Sequence, residues 1–450
     1  MSDRERADAV YEALLSRAGE RWVQPRKERT ARILAFLDDP QRTYRVVHLT
    51  GTNGKTSTAR MIESLLRAHG LRTGLFTSPH LERFTERIMI DGEPISDEAV
   101  ADAWDEIEPF VDIVDAEFEA AGDAPLTFFE LLTVLAFVAV ADAPVDVLVL
   151  EVGMGGEWDS TNTADGDVAV FAPIDIDHAD RLGGTIAEIA QTKAGIIKEG
   201  AAVVSAQQPP EAAEVLRRVA AERNATIAFE GEEFGLTEQK LAVGGQLLSV
   251  RGLAGEYAEE YLPLYGAHQG HNAALAVAAV ESLIGGASQA IAPDIISDGL
   301  QGTTSPGRLQ LLGIAPTVIV DAAHNPHGAK ALAQALGDSF DFDEWGLVLG
   351  VLADKDAAGI VAELAPRAAH VFATAPESDR ASDADAIADL VEQTGQRATV
   401  HDSLADAADA AREWAASSDR RAVIIAGSVV LAGEAIALAE EEDWKSGWRA

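Results

Sequence analysis

Cysteine is absent from this chain of 450 residues, and lysine is scarce, with eight lysines against 27 arginines. Without cysteine the protein can form neither a disulfide nor a cysteine-ligated metal site. The 35 basic residues face 74 acidic ones, which gives a net charge of −39 at pH 7. A surface of this sign repels phosphate backbones, so we expect no nucleic acid among the partners.

Long hydrophobic runs are absent as well. The longest, residues 131–141, is interrupted by Thr133 and followed by Asp142 and Pro144. It is too short for a membrane span, which needs about 20 residues. The first six residues, Met-Ser-Asp-Arg-Glu-Arg, do not have the pattern of a signal peptide. We therefore expect no membrane association and a cytoplasmic location.

The acidic residues are spread along the chain and do not collect in a tail. Two interpretations stay open. The excess charge is either an ordinary solvated surface or an adaptation to a salty cytoplasm, where counterions screen the repulsion between like charges. Loss of activity at molar KCl would count against the second interpretation.

The apolar segments predict an α/β protein with two open, mainly parallel sheets. A length of 450 residues with 47% hydrophobic residues is enough for two or three domains of about 150 residues each. Residues 1–43 are typical of a short helical lead-in. Strands and helices alternate from Tyr44, pause at residues 302–306 (Gly-Thr-Thr-Ser-Pro) and then restart. We expect one domain at 1–301 and a second at 302–450.

Each expected element is an apolar run with strand or helix periodicity. In the first domain we expect strands at 44–49, 72–77, 145–150 and 168–174, a hairpin at 85–95, and helices at 59–66, 126–140, 186–197 and 273–283. In the second we expect strands at 317–321, 346–352, 369–374, 397–401 and 422–427, and helices at 328–337, 356–365, 383–394, 404–416 and 429–440. The second domain has no Gly-x-Gly-x-x-Gly pattern, so its parallel sheet is not expected to bind a dinucleotide.

Residues 46–58 read Val-Val-His-Leu-Thr-Gly-Thr-Asn-Gly-Lys-Thr-Ser-Thr and are the most informative stretch. A β-branched strand enters a glycine turn that is followed by a helical pattern. Such a turn points backbone N–H groups at phosphate oxygens, and the helix N-terminus adds partial positive charge. The stretch is the short Gly-x-x-Gly-Lys-Thr form of a phosphate loop, with Leu49 where the longer form has glycine. Lys55 would reach the β- and γ-phosphates, and either Thr56 or Ser57 would hold Mg²⁺.

Polar side chains also end three other strands of the first domain. Ligands of open α/β sheets bind beyond the carboxyl ends of strands. Glu151 follows the strand at 145–150 and is either a Mg²⁺ ligand or a satisfied polar strand end. Ser78 and His178 end two further strands, although imidazole is an unusual partner for Mg²⁺. A lysine such as Lys193, on a predicted helix, is usually a surface charge.

The second domain repeats this arrangement. Arg308 lies at its entrance, Asp321 and His324 end its first clear strand, and Asp354 and Asp356 end the next. Charged groups at two successive strand ends indicate that this domain also faces a ligand. The alternative is helix N-capping, which Asp performs well.

An ordered set of short motifs runs from residue 44 to about 430. The motifs are Gly-Thr-Asn-Gly-Lys (51–55), Thr-Ser-Pro-His-Leu (77–81), Glu-Arg-Ile (86–88), Leu-Thr-Phe-Phe-Glu (126–130), Glu-Val-Gly-Met-Gly-Gly (151–156), Asp-Ser-Thr-Asn (159–162), Asp-His (177–178), Lys-Ala-Gly-Ile-Ile-Lys (193–198), His-Gln (268–269) with Asn272, Pro-Gly-Arg (306–308), Asp-Ala-Ala-His-Asn-Pro (321–326), Asp-Lys-Asp (354–356) and Gly-Ser (427–428). With them the chain resembles the folylpolyglutamate synthase and dihydrofolate synthase family, the folate branch of the Mur-ligase-like ATP-dependent amide ligases.

The resemblance implies a fold and a set of functional residues. The first domain would be a phosphate-loop ATPase like the Mur ligase central domain, with a pterin or folate pocket, and the second a Rossmann-like glutamate ligase domain. The residues implied for ATP are Gly51, Thr52, Asn53, Gly54, Lys55, Thr56, Ser57, Asn272, Arg308 and Asp321; for Mg²⁺, Ser78, Glu151, His178 and Lys193; and for the pterin, Thr127, Phe128, Phe129 and Glu130. Lys193 resembles the family lysine that is carbamylated and holds a second Mg²⁺. Lys55, Lys193 and His324 are the implied catalytic residues, with His324 near the incoming glutamate.

The implied reaction joins glutamate to a folate or to dihydropteroate. The substrate carboxylate attacks ATP and gives an acyl phosphate and ADP, and the glutamate amine then displaces phosphate to form an amide. Two Mg²⁺ ions and Lys55 would offset the negative charge. The expected partners are therefore small molecules only, with a monomeric enzyme that accepts both dihydropteroate and reduced folates.

Two rival functions fit the sequence less well. A Mur peptidoglycan ligase would carry a domain for its UDP-sugar substrate before the phosphate loop, and only 50 residues precede Gly51 here. A nucleotide-binding regulator without ligase activity would need neither the metal set nor the polar strand ends of the second domain. One difference from the folate branch is Thr56, which stands where that branch usually has glycine.

Overall fold

The computed structural model describes residues 1–19, 26–177 and 179–446. It contains a large sheet with eight strands in the order β4-β3-β2-β5-β1-β6-β7-β8. These strands are β1 Arg45–Thr50, β2 Thr73–Phe76, β3 Ile88–Ile90, β4 Glu93–Pro94, β5 Val147–Glu151, β6 Val168–Phe171, β7 Ala202–Ser205 and β8 Thr226–Phe229. All neighbours pair in parallel except β2 with β3 and β3 with β4. The predicted hairpin therefore forms one edge of a parallel sheet.

Two smaller sheets follow along the chain. The first is antiparallel, with β10 in its centre; its strands are β9 Gly235–Ala242, β10 Gly245–Arg251 and β11 Glu256–Leu262. The second has six strands in the order β12-β13-β17-β14-β15-β16 and is parallel except for β12. Its strands are β12 Gln310–Ile314, β13 Thr317–Val320, β14 Glu344–Leu349, β15 His370–Ala373, β16 Ala398–Val400 and β17 Arg421–Ala426.

Helices cover the sheets. Those before the six-stranded sheet are α1 Asp3–Leu15, α2 Glu28–Phe36, α3 Lys55–Ala68, α4 Asp97–Ala120, α5 Phe128–Asp142, α6 Ala179–Leu182, α7 Ile186–Ala194, α8 Pro210–Glu222, α9 Ala267–Gly285 and α10 Pro293–Gln301. Those that pack on it are α11 Pro326–Ser339, α12 Ala357–Leu364, α13 Ala384–Gln393, α14 Leu404–Ala416 and α15 Val429–Glu441. Within the described ranges, no helix combines the length and the apolar character that a membrane crossing requires.

The core explains the apolar residues of β1. Val47 and Leu49 point to the side of the sheet that α3 and α9 cover, while Val46 points to the opposite side, against α5. A strand buried on both faces needs apolar residues at successive positions, as parallel central strands do. This burial holds the phosphate loop on a rigid support.

The sequence predicted the α/β class and its parallel sheets correctly. It assigned no element to α4, α8 or α10. Helix α4 has buried side chains at 100, 103, 104, 107, 111 and 114, a helical spacing, but it contains Pro109 and many acidic residues. Its apolar face packs on α1 and α5, and this tertiary contact offsets the weak local preference. The domain boundary at 302 stays a prediction.

Strand register places several polar residues at one edge. Leu49 lies opposite Glu151 on β5, and Thr50 lies opposite Phe171 on β6. The turn after β1 therefore begins where both neighbouring strands end. Groups far apart in sequence meet there, in front of the carboxyl ends of the strands.

Candidate active site

A cleft of about 1290 Å³ lies between the carboxyl edges of the two large sheets. Its first wall comes from the phosphate loop and the ends of β2, β5 and β6, and we call it the nucleotide wall. Its opposite wall comes from the ends of β13, β14 and β15 and the start of α15, and we call it the C-terminal wall. One arm of the cleft extends between α1 and the start of α5. The two walls thus face the same space.

The phosphate loop is a tight turn that caps α3. Gly54 is the N-cap of α3 with φ +83°, a left-handed conformation that favours glycine. A Cβ at Gly54 would lie 2.8 Å from Oδ1 of Asn272, so α9 packs directly on the loop. Lys55 Nζ donates to the carbonyl oxygens of Gly51 (3.2 Å) and Thr52 (3.1 Å). The lysine therefore folds back over the loop in which phosphate would lie.

The two hydroxyls after Lys55 have different surroundings. Thr56 Oγ1 donates to both carboxylate oxygens of Glu151, at 3.1 and 3.0 Å. Ser57 is buried and bonds to Ser305 Oγ at 3.0 Å, with Gln269 Nε2 at 3.4 Å. Thr56 is therefore the hydroxyl that faces the candidate metal edge, while Ser57 ties the loop to the segment that leads to the C-terminal wall.

Glu151 is the buried carboxylate of the nucleotide wall. Burial raises its pKa, whereas Lys55, the Thr56 hydroxyl and the backbone N–H of Ser78 act in the opposite direction. Ser78 lines the same cleft. Oxygen donors from Thr56, Ser78 and Glu151 thus converge at one edge, and such hard donors suit Mg²⁺. His178 lies outside the described residues, and the described part of the chain has no group of three acidic or histidine side chains arranged for a metal.

Lys193 is not a surface charge. It is 4% exposed, and its Nζ donates to the Gly51 carbonyl oxygen at 2.8 Å. Burial, and then repulsion from Lys55, lowers the pKa of Lys193 to about 7. At neutral pH a large fraction of this amine is therefore uncharged and nucleophilic, directly beneath the phosphate loop.

Three further residues expected to contact ATP lie on other elements. Asn272 of α9 lies against Gly54, as described, and Arg308 lines the cleft from the segment before β12. Asp321 accepts N–H bonds from Leu309 and Ala323, both 2.9 Å long. Burial raises the pKa of Asp321, and Arg308 opposes this shift. Arg308 therefore faces the cleft, whereas neither Asn272 nor Asp321 is among the residues that line it.

His324 and His327 belong to the C-terminal wall. His324 Nδ1 donates to the Ala322 carbonyl oxygen at 2.9 Å, because a carbonyl can only accept. Burial lowers the pKa of His324 to about 4, so the ring is neutral and its Nε2 carries a lone pair. His327 Nδ1 lies 2.8 Å from Asn53 Nδ2 of the phosphate loop. This contact joins the two walls.

The expected pterin residues form the start of α5. Thr127 is the N-cap of α5 and forms a capping box with Glu130. Glu130 also makes a buried ion pair with Arg29, 2.9 Å from Nη2 to Oε1. Thr127, Phe129 and Glu130 line the arm of the cleft. Phe128 is buried in the core and packs against Tyr11, so the expectation that it lies along the pocket is not met.

The C-terminal wall carries exposed charges. Asp354 accepts from Arg380 at 2.6 Å and lies 3.9 Å from Lys355 Nζ. Asp356 is the N-cap of α12, which is the capping role that the sequence left open. Asp354 has no such role and instead pairs with cations.

Five further residues line the cleft: Tyr11, His80, Arg87, Trp158 and Arg380. In the sequence, His80 and Arg87 were noted only as members of motifs, and the other three were not singled out. His80 accepts a hydrogen bond from Arg87 Nε at 2.8 Å, and burial lowers the pKa of His80 to about 3. The Ser-Pro-His-Leu spacing was the available signal for His80. Nothing in the local sequence marks Tyr11, which reaches the cleft only through packing of α1.

Comparison with known proteins gives two family matches. Residues 49–280 match the Mur ligase middle domain, and residues 307–429 match the Mur ligase glutamate ligase domain. Together they cover nearly all of the residues that form both walls of the cleft.

Individual relatives agree with these matches. The chain is 45% identical over 443 residues to the dihydrofolate synthase/folylpolyglutamate synthase of Mycobacterium tuberculosis. The alignment covers 92% of this chain and 91% of that protein. It is 36% identical over 334 residues to the Bacillus subtilis protein of the same name, covering 74% of this chain and 77% of that one.

Solved structures are similar over almost the whole chain. The Mycobacterium tuberculosis folylpolyglutamate synthase complexed with ADP has a TM-score of 0.92 at 44% identity and covers 97% of this chain and 99% of its own. Escherichia coli FolC in complex with DHPP and ADP has a TM-score of 0.83 at 30% identity, covering 97% and 98%.

Proposed function

We propose residue roles on the premise that the chain belongs to the dihydrofolate synthase/folylpolyglutamate synthase family of Mur ligases, which its matches establish. It is an ATP-dependent ligase that adds glutamate to folates. The observation that carries the residue roles is the position of Thr56, Glu151 and Lys193 around one phosphate loop. Buried, hydrogen-bonded groups at a strand edge are pre-organised for charge that develops in a reaction.

The first step is phosphoryl transfer. A substrate carboxylate oxygen attacks the γ-phosphorus of ATP, the bond to the bridging oxygen breaks, and ADP leaves. Lys55, which contacts its own loop carbonyls at 3.1 and 3.2 Å, would exchange these bonds for phosphate oxygens. Arg308 would add positive charge from across the cleft. Both cations offset charge that spreads over the transferred phosphoryl group.

The second step is amide formation. The glutamate nitrogen attacks the acyl carbon, phosphate leaves, and the nitrogen gives up a proton. The leaving phosphate can take that proton. His324 would orient the amine by accepting a hydrogen bond at Nε2, because its Nδ1 donates to Ala322 and leaves a lone pair there. The cleft walls would shield the acyl phosphate from water.

Magnesium fits the donor set of the nucleotide wall. Thr56, Ser78 and Glu151 supply oxygen, the element that Mg²⁺ prefers, and His178 is the further expected ligand. When bound, the ion would neutralise phosphate charge. A second Mg²⁺ site at a carbamylated Lys193 is part of the proposal. Burial increases the uncharged fraction of the Lys193 amine, which is the form that adds carbon dioxide. Intact-protein mass would report the added mass.

We further infer that one active site accepts both dihydropteroate and reduced folates, and that the protein is a cytoplasmic monomer. The arm between α1 and α5 would hold the pterin through Thr127, Phe129 and Glu130. The test supplies ATP and glutamate with dihydropteroate or tetrahydrofolate in separate reactions and identifies products by mass. One added glutamate in both reactions supports the proposal. A product in only one reaction would overturn the dual specificity, and ADP release independent of glutamate would overturn the ligase mechanism.

A further inference from the structure

His80 has no role in the mechanism above, although it lies in the cleft. It follows Ser78 by two residues and lines the same space as Lys55 and Glu151. Its ring also meets the edge of Tyr11, with centroids 5.9 Å apart. His80 therefore stands at the junction between the metal edge of the nucleotide wall and the arm that extends along α1.

The tautomer of His80 follows from its partner. Arg87 Nε donates to His80 Nδ1 at 2.8 Å. A guanidinium has donors only, so Nδ1 must be the acceptor and the ring proton must lie on Nε2. His80 is thus a neutral donor, whereas His324, whose Nδ1 donates to a carbonyl, is a neutral acceptor at Nε2.

Packing fixes both members of this pair. Arg87 is 4% exposed, and its guanidinium lies 5.4 Å from the centroid of the Phe128 ring. Tyr11, which meets the His80 ring, is itself stacked on Phe84 with centroids 4.7 Å apart. Among the described residues, no hydrogen-bond acceptor is found for His80 Nε2, which leaves that N–H to the cleft.

We propose that His80 Nε2–H binds the substrate carboxylate that becomes the acyl phosphate, and that Arg87 is a positioning residue that holds the His80 tautomer. This inference rests on the proposed function. The carboxylate must reach ATP at the metal edge while its pterin lies in the arm between α1 and α5, and His80 stands between these two places. The Arg87–His80 pair presents a directed donor there.

A neutral donor suits this step better than a cation would. The carboxylate loses negative charge as its oxygen bonds to phosphorus. A cation would therefore stabilise the reactant more than the transition state, which slows the reaction. A neutral N–H orients the nucleophile with a smaller penalty of this kind. Arg87 also lines the cleft, and its Nε–H is directed at His80 Nδ1, so that His80 presents a neutral N–H beside this cation.

Two amide variants test the proposal as a matched pair. In His80→Gln the side-chain NH₂ can take the place of Nε2, while in His80→Asn it can only take the place of Nδ1. We expect kcat/KM for dihydropteroate to fall about 10- to 100-fold in His80→Asn, the range for one hydrogen bond to a charged group. In His80→Gln we expect a loss of less than about threefold, with KM for ATP unchanged in both variants.

A substrate analogue identifies the group that His80 binds. The analogue is dihydropteroate with hydrogen in place of the carboxylate, used as a competitive inhibitor. Its inhibition constant should be equal in wild type, His80→Gln and His80→Asn. A weaker constant in His80→Asn would overturn the proposal, because His80 would then contact the pterin or act through the fold. Equal kcat/KM values for the two variants with dihydropteroate would overturn it as well.

Nitrogen-15 spectra of the histidine ring test the tautomer without activity. Wild type should show the proton of His80 on Nε2, and Arg87→Met should show a mixture of tautomers. A proton on Nδ1 in wild type would overturn the proposal even if both His80 variants failed to fold. Wild type that makes no glutamate product would refute the proposed function, whereas an active wild type with an insensitive His80→Asn would refute only this inference.

Discussion

The two walls of the cleft hold their charges in different ways. On the nucleotide wall, Glu151 is buried and accepts a hydrogen bond from Thr56. Lys193, buried beneath this wall, donates to Gly51. On the C-terminal wall, Asp354 and Arg380 are about half exposed, at 50% and 42%, and pair with each other in solvent. Burying a charge costs desolvation free energy and ties the charge to fixed partners. An exposed charge costs little free energy and can change partners. The nucleotide wall is thus pre-built, and the C-terminal wall can rearrange around a substrate.

The largest effect should come from Lys55 on the nucleotide wall. Lys55→Ala should abolish glutamate-dependent ADP release, a loss of at least about a thousandfold, since it removes the cation that we propose meets the transferred phosphoryl group. Among the described residues its hydrogen bonds go to loop carbonyls, so circular dichroism and Tm should be close to wild type. Near-normal turnover in this variant would contradict the assigned role.

The next largest effect should be a difference in stability between the loss of a buried ion pair and the loss of an exposed one. Glu130→Gln leaves the 1%-exposed Arg29 side chain without its carboxylate and should lower the free energy of unfolding by about 3–5 kcal/mol. The matched control on the C-terminal wall, Asp354→Asn, should cost less than about 1 kcal/mol. Urea denaturation of both variants measures the difference. Equal losses would remove the contrast between the buried pair of the arm and the exposed pair of the C-terminal wall.

Lys193 should make the free energy of unfolding depend on pH. Its pKa is lowered to about 7 in the folded protein, whereas an unfolded lysine has a pKa near about 10.4. Between these values the unfolded chain binds more protons, so the unfavourable contribution of Lys193 to folding shrinks as pH rises. Lys193→Met should therefore stabilise the nucleotide-free protein most at pH 7, with the gain falling by about 1.4 kcal/mol per pH unit toward pH 10. A gain independent of pH would show that Lys193 is already modified or exposed.

The smallest effect should distinguish the hydroxyl of Thr56 from that of Ser57 by the Mg²⁺ dependence of activity. Thr56→Val removes the hydroxyl that meets Glu151 and should reduce kcat about 10-fold while shifting the Mg²⁺ dependence to higher concentration. Ser57→Ala loses a bond to Ser305 and should lower Tm while leaving the Mg²⁺ dependence in place. Titration of activity with MgCl₂ decides between them, and a reversed result would make Ser57 the metal-facing hydroxyl.

Much of the nucleotide wall was predictable from sequence, because its groups follow strands directly. Glu151 ends β5 and Lys55 begins α3, so strand and helix patterns locate both. The C-terminal wall was less predictable: Asp356 is a helix cap, while Asp354 pairs with Arg380, 26 residues further along the chain. Local patterns cannot distinguish these two outcomes, since capping and ion pairing use the same residue type.

The burial of Lys193 and the position of Phe128 were also beyond local pattern. A helix lysine is usually exposed, but the end of α7 lies beneath the phosphate loop, where Gly156 approaches the Lys193 carbonyl so closely that a Cβ would be 2.8 Å away. Phe128 and Phe129 are adjacent, yet the turn of α5 directs one ring to the core and the other to the cleft. Neither orientation follows from composition.

The sequence by itself determined the α/β class, the phosphate loop, the strand-end carboxylates and, through its ordered motifs, the ligase family. These features depend on neighbours in the chain, whose periodicity and glycine positions are local. Only the tertiary structure decided which hydroxyl meets Glu151, that Lys193 is buried, and that His80 and His324 carry opposite tautomers. Each of these depends on a partner residue that only packing brings close. That partner decides where a side chain carries its proton and which way its hydrogen bond points, and residue identity alone does not.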